Sequence, residues 1–318
     1  MAWLNTDIKS TLASLPPPSL DEFDFDAVLN PSDPSLSADH TVPADAMSLS
    51  KEIEGASEAG NLTAVRQSLA AYRQVVDRPD HHAARRSLLL AIEHEHHEIV
   101  AYLLSENIPV SHVEVKQAVS RGDRIILKLL FEHAWAINKA LSWDEPPALA
   151  YAVTDEDLTA WFLTMGADPN ASCMMGRTPL SSAIQYASFR VVEMLFDHGG
   201  NIEQSSLLHA AIGRENGRER EQMVEYLLQK GAPVNAVLHQ DDRPEAYRMH
   251  EAFGLGTPLH FAAAKGYEDI LRLLVRHGAK LDIKDSCGQV ALERAEMEGH
   301  EAAAQFLRDQ ISLMTARL

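Results

Sequence analysis

Gly256-Thr257-Pro258-Leu259-His260-Phe261-Ala262-Ala263-Ala264-Lys265-Gly266 runs directly into Tyr267-Glu268-Asp269-Ile270-Leu271-Arg272-Leu273-Leu274-Val275-Arg276-His277-Gly278-Ala279. Together they spell out a helix, a tight turn and a second helix. Thr257 brings a hydroxyl to a helix start, where backbone amides lack partners, and Pro258 suits the first helical position, where no amide donor is needed. The alanines that follow let a neighbouring helix come close. Gly266 breaks the first helix. Ile270, Leu271, Leu274 and Val275 then fall at i, i+1, i+4 and i+5, one apolar stripe along the second helix, and Gly278 stops it as a left-handed cap. Helices this short are not stable alone, so neighbours must cover the stripe.

The unit recurs on both sides. Aligned on the small pair that follows a second helix, the chain gives Asn107-Ile108, Ala134-Trp135, Gly166-Ala167, Gly199-Gly200, Gly231-Ala232 and Gly278-Ala279, at intervals of 27, 32, 33, 32 and 47 residues. A second clear copy reads Thr178-Pro179-Leu180-Ser181-Ser182-Ala183, followed by Val191-Val192-Glu193-Met194-Leu195-Phe196-Asp197-His198-Gly199-Gly200. Weaker copies carry Leu208-His209-Ala210-Ala211, Ala150-Tyr151-Ala152, Arg121-Gly122-Asp123 and Glu98-Ile99-Val100. Degenerate copies at Ala56 to Leu69 and Asp285 to Leu307 close the two ends. Self-similarity near 33 residues marks a stacked array rather than one enlarged core. The interval of 27 predicts one shortened inter-repeat hairpin. The interval of 47 predicts extra residues at Gly213 to Glu221 and in a long finger from Ala236 to Leu255.

The stretch at 257–262 closely resembles the ankyrin repeat with its T-P-L-H-x-A signature, and the resemblance extends over residues 49–310. It implies an all-α ankyrin-repeat solenoid of about eight helix-turn-helix repeats with β-hairpin fingers. It also implies that His209 and His260 brace hairpins through hydrogen bonds instead of acting as acids or bases. Arrays of this kind bind other proteins through hairpin tips and through the exposed side of the first helices, which line a concave groove. On the hairpins, Trp143, Met174, Met175, Arg177, Arg243, Tyr247, Arg248, Met249 and Phe253 are the expected partner-binding residues, because Trp, Tyr and Arg anchor interfaces and Met adapts to irregular ones. The competing role for Trp143 and Phe253 is to plug gaps between repeats. Trp135 is expected to serve local packing, and Arg85, Arg86 and the arginines at 214–220 are expected to be solvated charge.

Composition narrows the functions. Lys and Arg total 28 against 46 Asp and Glu, for a net charge of −18. Such a surface repels phosphate backbones and anionic lipid, so a protein partner is expected, with long-range steering favouring a basic one. No apolar run reaches the length of a membrane helix, the N-terminus lacks the pattern of a signal peptide, and two cysteines suit a reducing compartment. An intracellular, cytoplasmic or nuclear protein is expected, and Asn61-Leu62-Thr63 and Asn170-Ala171-Ser172 are then chance matches to a glycosylation triplet.

Residues 1–48 differ from the rest. They hold six prolines, eight acidic residues and one basic residue, Lys9, and cannot repay their ordering entropy by burial, so they are expected to form a disordered acidic tail. Within them, Asp21-Glu22-Phe23-Asp24-Phe25-Asp26-Ala27-Val28-Leu29 alternates acidic and apolar residues. That pattern leaves two roles open: a solvated tail, or an activation segment of a transcriptional co-regulator that docks through its repeats. Residues 311–318 are expected to form a short C-terminal tail.

No motif calls for catalysis or a cofactor. His94-Glu95-His96-His97-Glu98 superficially resembles a zinc protease helix, but the second histidine needed at i+4 is Glu98. His81 and His82 lie at the far end of the intervening helix, about 15 Å away. No P-loop or nucleophile elbow occurs, and Cys173 and Cys287 have no activating histidine nearby in sequence. The expectation is a non-catalytic adaptor or scaffold without metal or cofactor.

Overall fold

The computed structural model describes residues 44–76, 82–204 and 206–316. The acidic stretch at 21–29 and His81 lie outside them. The helices come in consecutive pairs: α1 (Ala44–Glu58) with α2 (Leu62–Val75), α3 (His82–Glu93) with α4 (His97–Ser105), α5 (His112–Arg121) with α6 (Arg124–His133), and α7 (Leu149–Ala152) with α8 (Glu156–Thr164). They continue with α9 (Pro179–Tyr186) and α10 (Phe189–Asp197), α11 (Leu207–Ile212) and α12 (Gly217–Gln229), α14 (Pro258–Ala264) and α15 (Glu268–Arg276), and α16 (Ala291–Met297) and α17 (Glu301–Thr315). One extra helix, α13 (Pro244–His250), lies in the long finger. Each first helix packs on its own second helix and on the first helix of the next pair, so the apolar core is one continuous row along the stack.

The array is longer than expected at both ends. α1 starts at Ala44 rather than near 49, because Ala46 and Ile53 are fully buried against the first pair and Leu49 packs beside them. α17 runs to Thr315 rather than 310, because Phe306, Leu307 and Ile311 extend its apolar stripe. Its outer side is polar, with Arg308 bridging Glu296 and Glu301, as the exposed end of a stack requires. The inter-repeat segment between α4 and α5 is short, residues 106–111, and the one between α2 and α3 is equally short. The hairpins themselves are turns: among the described residues the β-hairpin form is reduced to one isolated bridge between Ala140 and Pro147. Prolines at 147, 169 and 233 remove ladder donors at these positions.

Two side-chain devices tie neighbouring repeats together. In the first, an asparagine reaches across to close the left-handed turn that follows the next second helix. Asn138 donates to the Gly166 carbonyl at 3.2 Å and accepts from the Asp168 amide at 2.7 Å. Asn170 does the same for Gly199 and Asn201, both at 2.8 Å. Asn235 repeats it for Gly278 at 3.1 Å and Lys280 at 2.8 Å. Each pair satisfies a helix-end carbonyl and a turn amide at once. Glu203 occupies the register between Asn170 and Asn235, and there the ladder breaks. Gln204 compensates sideways, donating to the Asn170 carboxamide oxygen at 2.8 Å while accepting from the buried Thr178 hydroxyl.

In the second device, histidines bond backbone carbonyls of a neighbouring repeat. His209 meets the Gly256 carbonyl at 3.0 Å and His260 the Gln289 carbonyl at 3.1 Å. His260 Nδ1 accepts the Thr257 amide at 3.1 Å, which leaves the proton on Nε2 to donate to Gln289. Burial pushes its pKa down, in keeping with that neutral form. These two rings brace the hairpins as expected. At the opposite end of the first helices, His96 bonds the Glu58 carbonyl and His300 the Ala264 carbonyl. The His300 ring lies so close to Gly266 that a Cβ there would sit 2.6 Å from it, and Gly266 also holds φ +67°. Only glycine fits that turn.

The arginines of the inserted 213–221 segment are not all solvated charge. Arg214 is only 7% exposed. It donates to the Ile184 carbonyl at 2.6 Å and the Ala187 carbonyl at 3.0 Å, and pairs with Glu219. The guanidinium thus closes the C-terminal end of α9, one repeat away. Arg220 is equally buried, bonds the Arg214 carbonyl and stacks 3.6 Å from the Tyr267 ring centroid. Sequence shows a run of charges there, whereas the fold supplies carbonyls that need donors.

Because Asn170 serves the Gly199 carbonyl, the Asn201 amide and Gln204 together, Asn170→Ala removes three partners. Its urea midpoint should fall by an amount equivalent to about 1–3 kcal/mol. A midpoint unchanged from the parent would show that the ladder carries no stability.

Candidate functional site

A groove of about 420 Å³ opens between α5 and α7. Its walls come from two adjacent first helices. His112, Val113, Lys116, Gln117 and Ser120 form the solvent-facing stripe of α5, and Tyr151 faces them from α7. The groove exists because α7 spans only Leu149–Ala152, roughly half the length of its neighbours. Pro146, Pro147 and Ala148 are buried ahead of it, and Asp155 starts the next helix by capping the Leu158 amide. The short helix leaves room, and a bulky tyrosine borders it.

A polar network fixes one wall. Lys116 Nζ pairs with Glu145 at 2.6 Å and sits 5.1 Å from the Tyr151 ring centroid. Partial burial, then the Glu145 carboxylate, push the Tyr151 phenol up to about 12, so it remains a hydrogen-bond donor at neutral pH. The Arg177 guanidinium is near enough to oppose that shift. Trp143 projects from the same loop as Glu145 and is exposed, as are Met174 and Arg177 in the next turn, where Met175 is half-buried. Trp143 leaves 47% of its surface exposed. Trp135, by contrast, is buried beneath Lys139, 4.1 Å from its ring centroid, a packing role.

The remaining predicted residues lie on the finger, which is helical rather than a β-hairpin. Leu238 closes its base by donating to the Gly256 carbonyl at 3.1 Å, and α13 then leads into a short 3-10 turn at Glu251–Phe253. The finger folds down on both sides. Toward the earlier turn, Arg243 donates to the Asn170 carbonyl at 3.3 Å. The buried His239 ring there packs onto Gly176, where a Cβ would lie 2.7 Å from it and φ is +74°. Toward the later turn, Ser286 accepts the Leu255 amide at 2.7 Å and donates to the Glu251 carbonyl. Its own amide donates to the Leu255 carbonyl at 2.9 Å. Met249 and Phe253, four residues apart, are left exposed on the outside, Tyr247 is half-buried, and Arg248 pairs loosely with Glu245 at 3.8 Å. Phe253 is 67% exposed.

Sequence reasoning passed over the groove's own residues Lys116 and Tyr151, and Glu145, which pairs with Lys116; of the predicted residues, Arg177 is near enough to act on Tyr151. A signal was present: Tyr151 stands at the x position of the T-P-L-H-x-A register, where the second copy has Ser182. In the 94–98 stretch, His96 serves the Glu58 carbonyl and His97 bonds the Asp123 carboxylate at 2.6 Å. Among the described residues no three His, Cys, Asp or Glu side chains gather to hold a metal. Cys173 is buried, and that burial raises its thiol pKa, which disfavours the reactive thiolate. Cys287 is exposed beside the finger, 3.7 Å from the Ala252 carbonyl. No helix among the described residues is long and apolar enough to cross a membrane.

The sequence profile of ankyrin repeats matches three overlapping copies, at residues 115–206, 149–238 and 208–315. The chain belongs to the ankyrin repeat family. Similar ankyrin-repeat relatives differ widely in what surrounds the match. The probable E3 ubiquitin-protein ligase XBOS33 of Oryza sativa subsp. japonica is 42% identical over 77 residues, 24% of this chain and 15% of that protein. The cyclin-dependent kinase 4 inhibitor B of Rattus norvegicus is 31% identical over 117 residues, 31% of this chain and 90% of the inhibitor. The protein phosphatase 1 regulatory subunit 12A of Mus musculus is 45% identical over 56 residues, 18% of this chain and 5% of the subunit. The chain therefore covers a small part of the ligase and the phosphatase subunit, and most of the kinase inhibitor. What the matches share is the ankyrin-repeat, protein-binding solenoid.

His239 gives the finger of this ankyrin array a pH dependence. Burial, opposed by Asp242 and reinforced by His209, His250 and Arg243, lowers its pKa to about 4. The unfolded segment binds a proton near the ordinary value of about 6.5, so between these values the open form holds more protons. The stability His239 contributes is complete above about 6.5 and is lost as pH falls toward 4. Protection factors for hydrogen exchange at 236–255, which divide out the pH dependence of the intrinsic amide rate, should fall over that window in the parent and much less in His239→Gln. An equal fall in both proteins would remove His239 as the cause.

Proposed function

We propose that this ankyrin array is a non-catalytic intracellular adaptor or scaffold that recognises a protein partner with its concave first-helix face and its enlarged finger. The observation that carries the reading is the groove between α5 and α7, where Tyr151 and Val113 expose apolar surface beside the Lys116–Glu145 pair and Trp143. Aromatic and cationic side chains around a partly desolvated pocket have the composition of an interface anchor. The finger adds a second apolar surface, Met249 with Phe253, held rigidly between two turns. Holding an anchor in place before binding lowers the ordering cost of association. Relatives named for inhibiting a cyclin-dependent kinase and for regulating protein phosphatase 1 support partner binding as the use of such repeats.

Affinity purification with the full chain tests the proposal through two separate variants, one carrying Tyr151→Ala with Lys116→Gln and one carrying Met249→Ser with Phe253→Ser. All four side chains are at least partly exposed, so both variants should keep the parent circular dichroism. Recovery of the main partner should drop at least about tenfold in the groove variant, as for loss of a hot-spot aromatic, and less in the finger variant. Parent-level recovery by both folded variants would reject the proposed binding surface.

A further inference from the structure

The end of the finger is held from the final repeat by one guanidinium. Arg294, on α16, places its Nε 3.4 Å from the Asp285 carboxylate, whose side chain is 0% exposed. Asp285 Oδ1 serves its own turn, accepting the Cys287 and Gln289 amides at 2.9 Å each. Neither Asp285 Oδ2 nor Arg294 Nε makes a hydrogen bond among the described residues, so charge joins the two groups. A buried carboxylate with an unserved oxygen keeps its counter-ion close. With Nε fixed there, the terminal nitrogens of the planar fork reach other acceptors. Nη1 donates to the Gln289 carboxamide at 3.4 Å. Nη2 is shared between the Phe253 carbonyl at 3.4 Å and the Gly254 carbonyl at 3.3 Å, where the 3-10 turn ends and carbonyls lack partners. Gly254 leaves room for it: φ is +75°, and a Cβ there would lie 2.7 Å from Nη2. The turn that carries Asp285 is itself anchored, because His260 of α14 bonds the Gln289 carbonyl.

From this geometry we infer that Arg294 is the positioning residue of the finger: it fixes the backbone that presents Phe253. Its own side chain is only 21% exposed, so it acts through the carbonyls it holds and not as a contact surface for a partner. The inference deepens the reading of the finger as a binding surface and rests on it for the use made of Phe253. Two features separate this role from plain neutralisation of Asp285. A counter-ion needs one nitrogen, whereas Arg294 turns a second arm onto the finger. Ser286, next to Asp285, bonds the same end of the finger through its hydroxyl and its amide, so turn and arginine grip it together. Phe253 is thereby exposed in its side chain and held at its carbonyl. An anchor presented in this way loses less freedom on binding than one on an unrestrained loop.

Hydrogen exchange on the full chain tests it with Arg294→Lys and Arg294→Gln. Lysine keeps a cation beside Asp285 but on a single nitrogen, so its urea midpoint should stay closer to the parent's than that of Arg294→Gln. In both variants protection of the Gly254 and Leu255 amides should fall by roughly twofold to tenfold, as for loss of a hydrogen bond, while the Arg243 and Phe261 amides keep theirs. Parent-level protection at Gly254 and Leu255 in either variant would overturn the inference. So would an equal fall throughout α16 and α17 in Arg294→Lys, which would make Arg294 a residue of the last repeat's fold alone. Arg294→Lys should also lower recovery of the parent chain's main partner by roughly twofold to tenfold, and should add nothing to the loss in Phe253→Ser. Full additivity, or undiminished recovery in Arg294→Lys where Phe253→Ser loses it, would show that Arg294 does not act through Phe253 and overturn the inference as well. Loosening at Gly254 and Leu255 with parent-level recovery in Phe253→Ser would reject the finger as a binding surface and leave Arg294 as its positioning residue.

Discussion

The burial of one short helix pair against the next is the constraint on which the rest of this molecule depends. First helices of four to fifteen residues cannot hold their own hydrogen bonds in water, and they persist because each apolar stripe is covered by the following pair. Stacking, however, brings the ends of many helices together, and every end has carbonyls without partners. The chain solves this with side chains from a neighbouring repeat. Asn138, Asn170 and Asn235 serve the turns after second helices, His96 and His300 serve the ends of first helices, and His209 and His260 serve the hairpins. Hydrophobic contact supplies most of the driving force, while these bonds fix the register between neighbours.

The groove and the finger grow out of the places where that regularity fails. Shortening α7 leaves the groove beside α5. Where Glu203 stands in place of an asparagine, one rung of the ladder is missing, and the next inter-repeat segment, where Asn235 resumes it, is the one that grows into the finger. The finger makes contacts of its own, through Arg243 and His239 on one side and Ser286 on the other. In a solenoid each irregularity is local, because a repeat communicates only with its neighbours. The array can therefore carry a groove and a finger without losing its stack.

The repeating part of this design is legible in the sequence because it depends on spacing and on residues with one conformational purpose. Thr257-Pro258, Gly266 and Gly278 each announce a cap or a turn by themselves, and the stripe Ile270–Leu271–Leu274–Val275 announces the buried face. The irregular part is less legible. Arg214 and Arg220 look like solvent-facing charges until α9 offers its carbonyls and Tyr267 its ring. Lys116 and Tyr151 are unremarkable in the chain and meet only because two first helices are adjacent. The finger's residues could be named but not shaped: nothing local in 236–255 indicates that Pro244–His250 would coil into a helix clasped at both sides. Ends are ambiguous for a related reason, since Leu49, Ile53 and Ile311 reveal their burial only once the neighbouring pair is in place.

The clasped finger has a mechanical consequence. By touching the turn at 170–176 and the turn at 285–287, it links repeats that are not adjacent in the stack and acts as a splint along the C-terminal half. Bending between those repeats must stretch the splint, whereas the half that holds the groove has no such strut among the described residues. That resistance is confined to the repeats between the two turns, and the groove between α5 and α7 lies outside them.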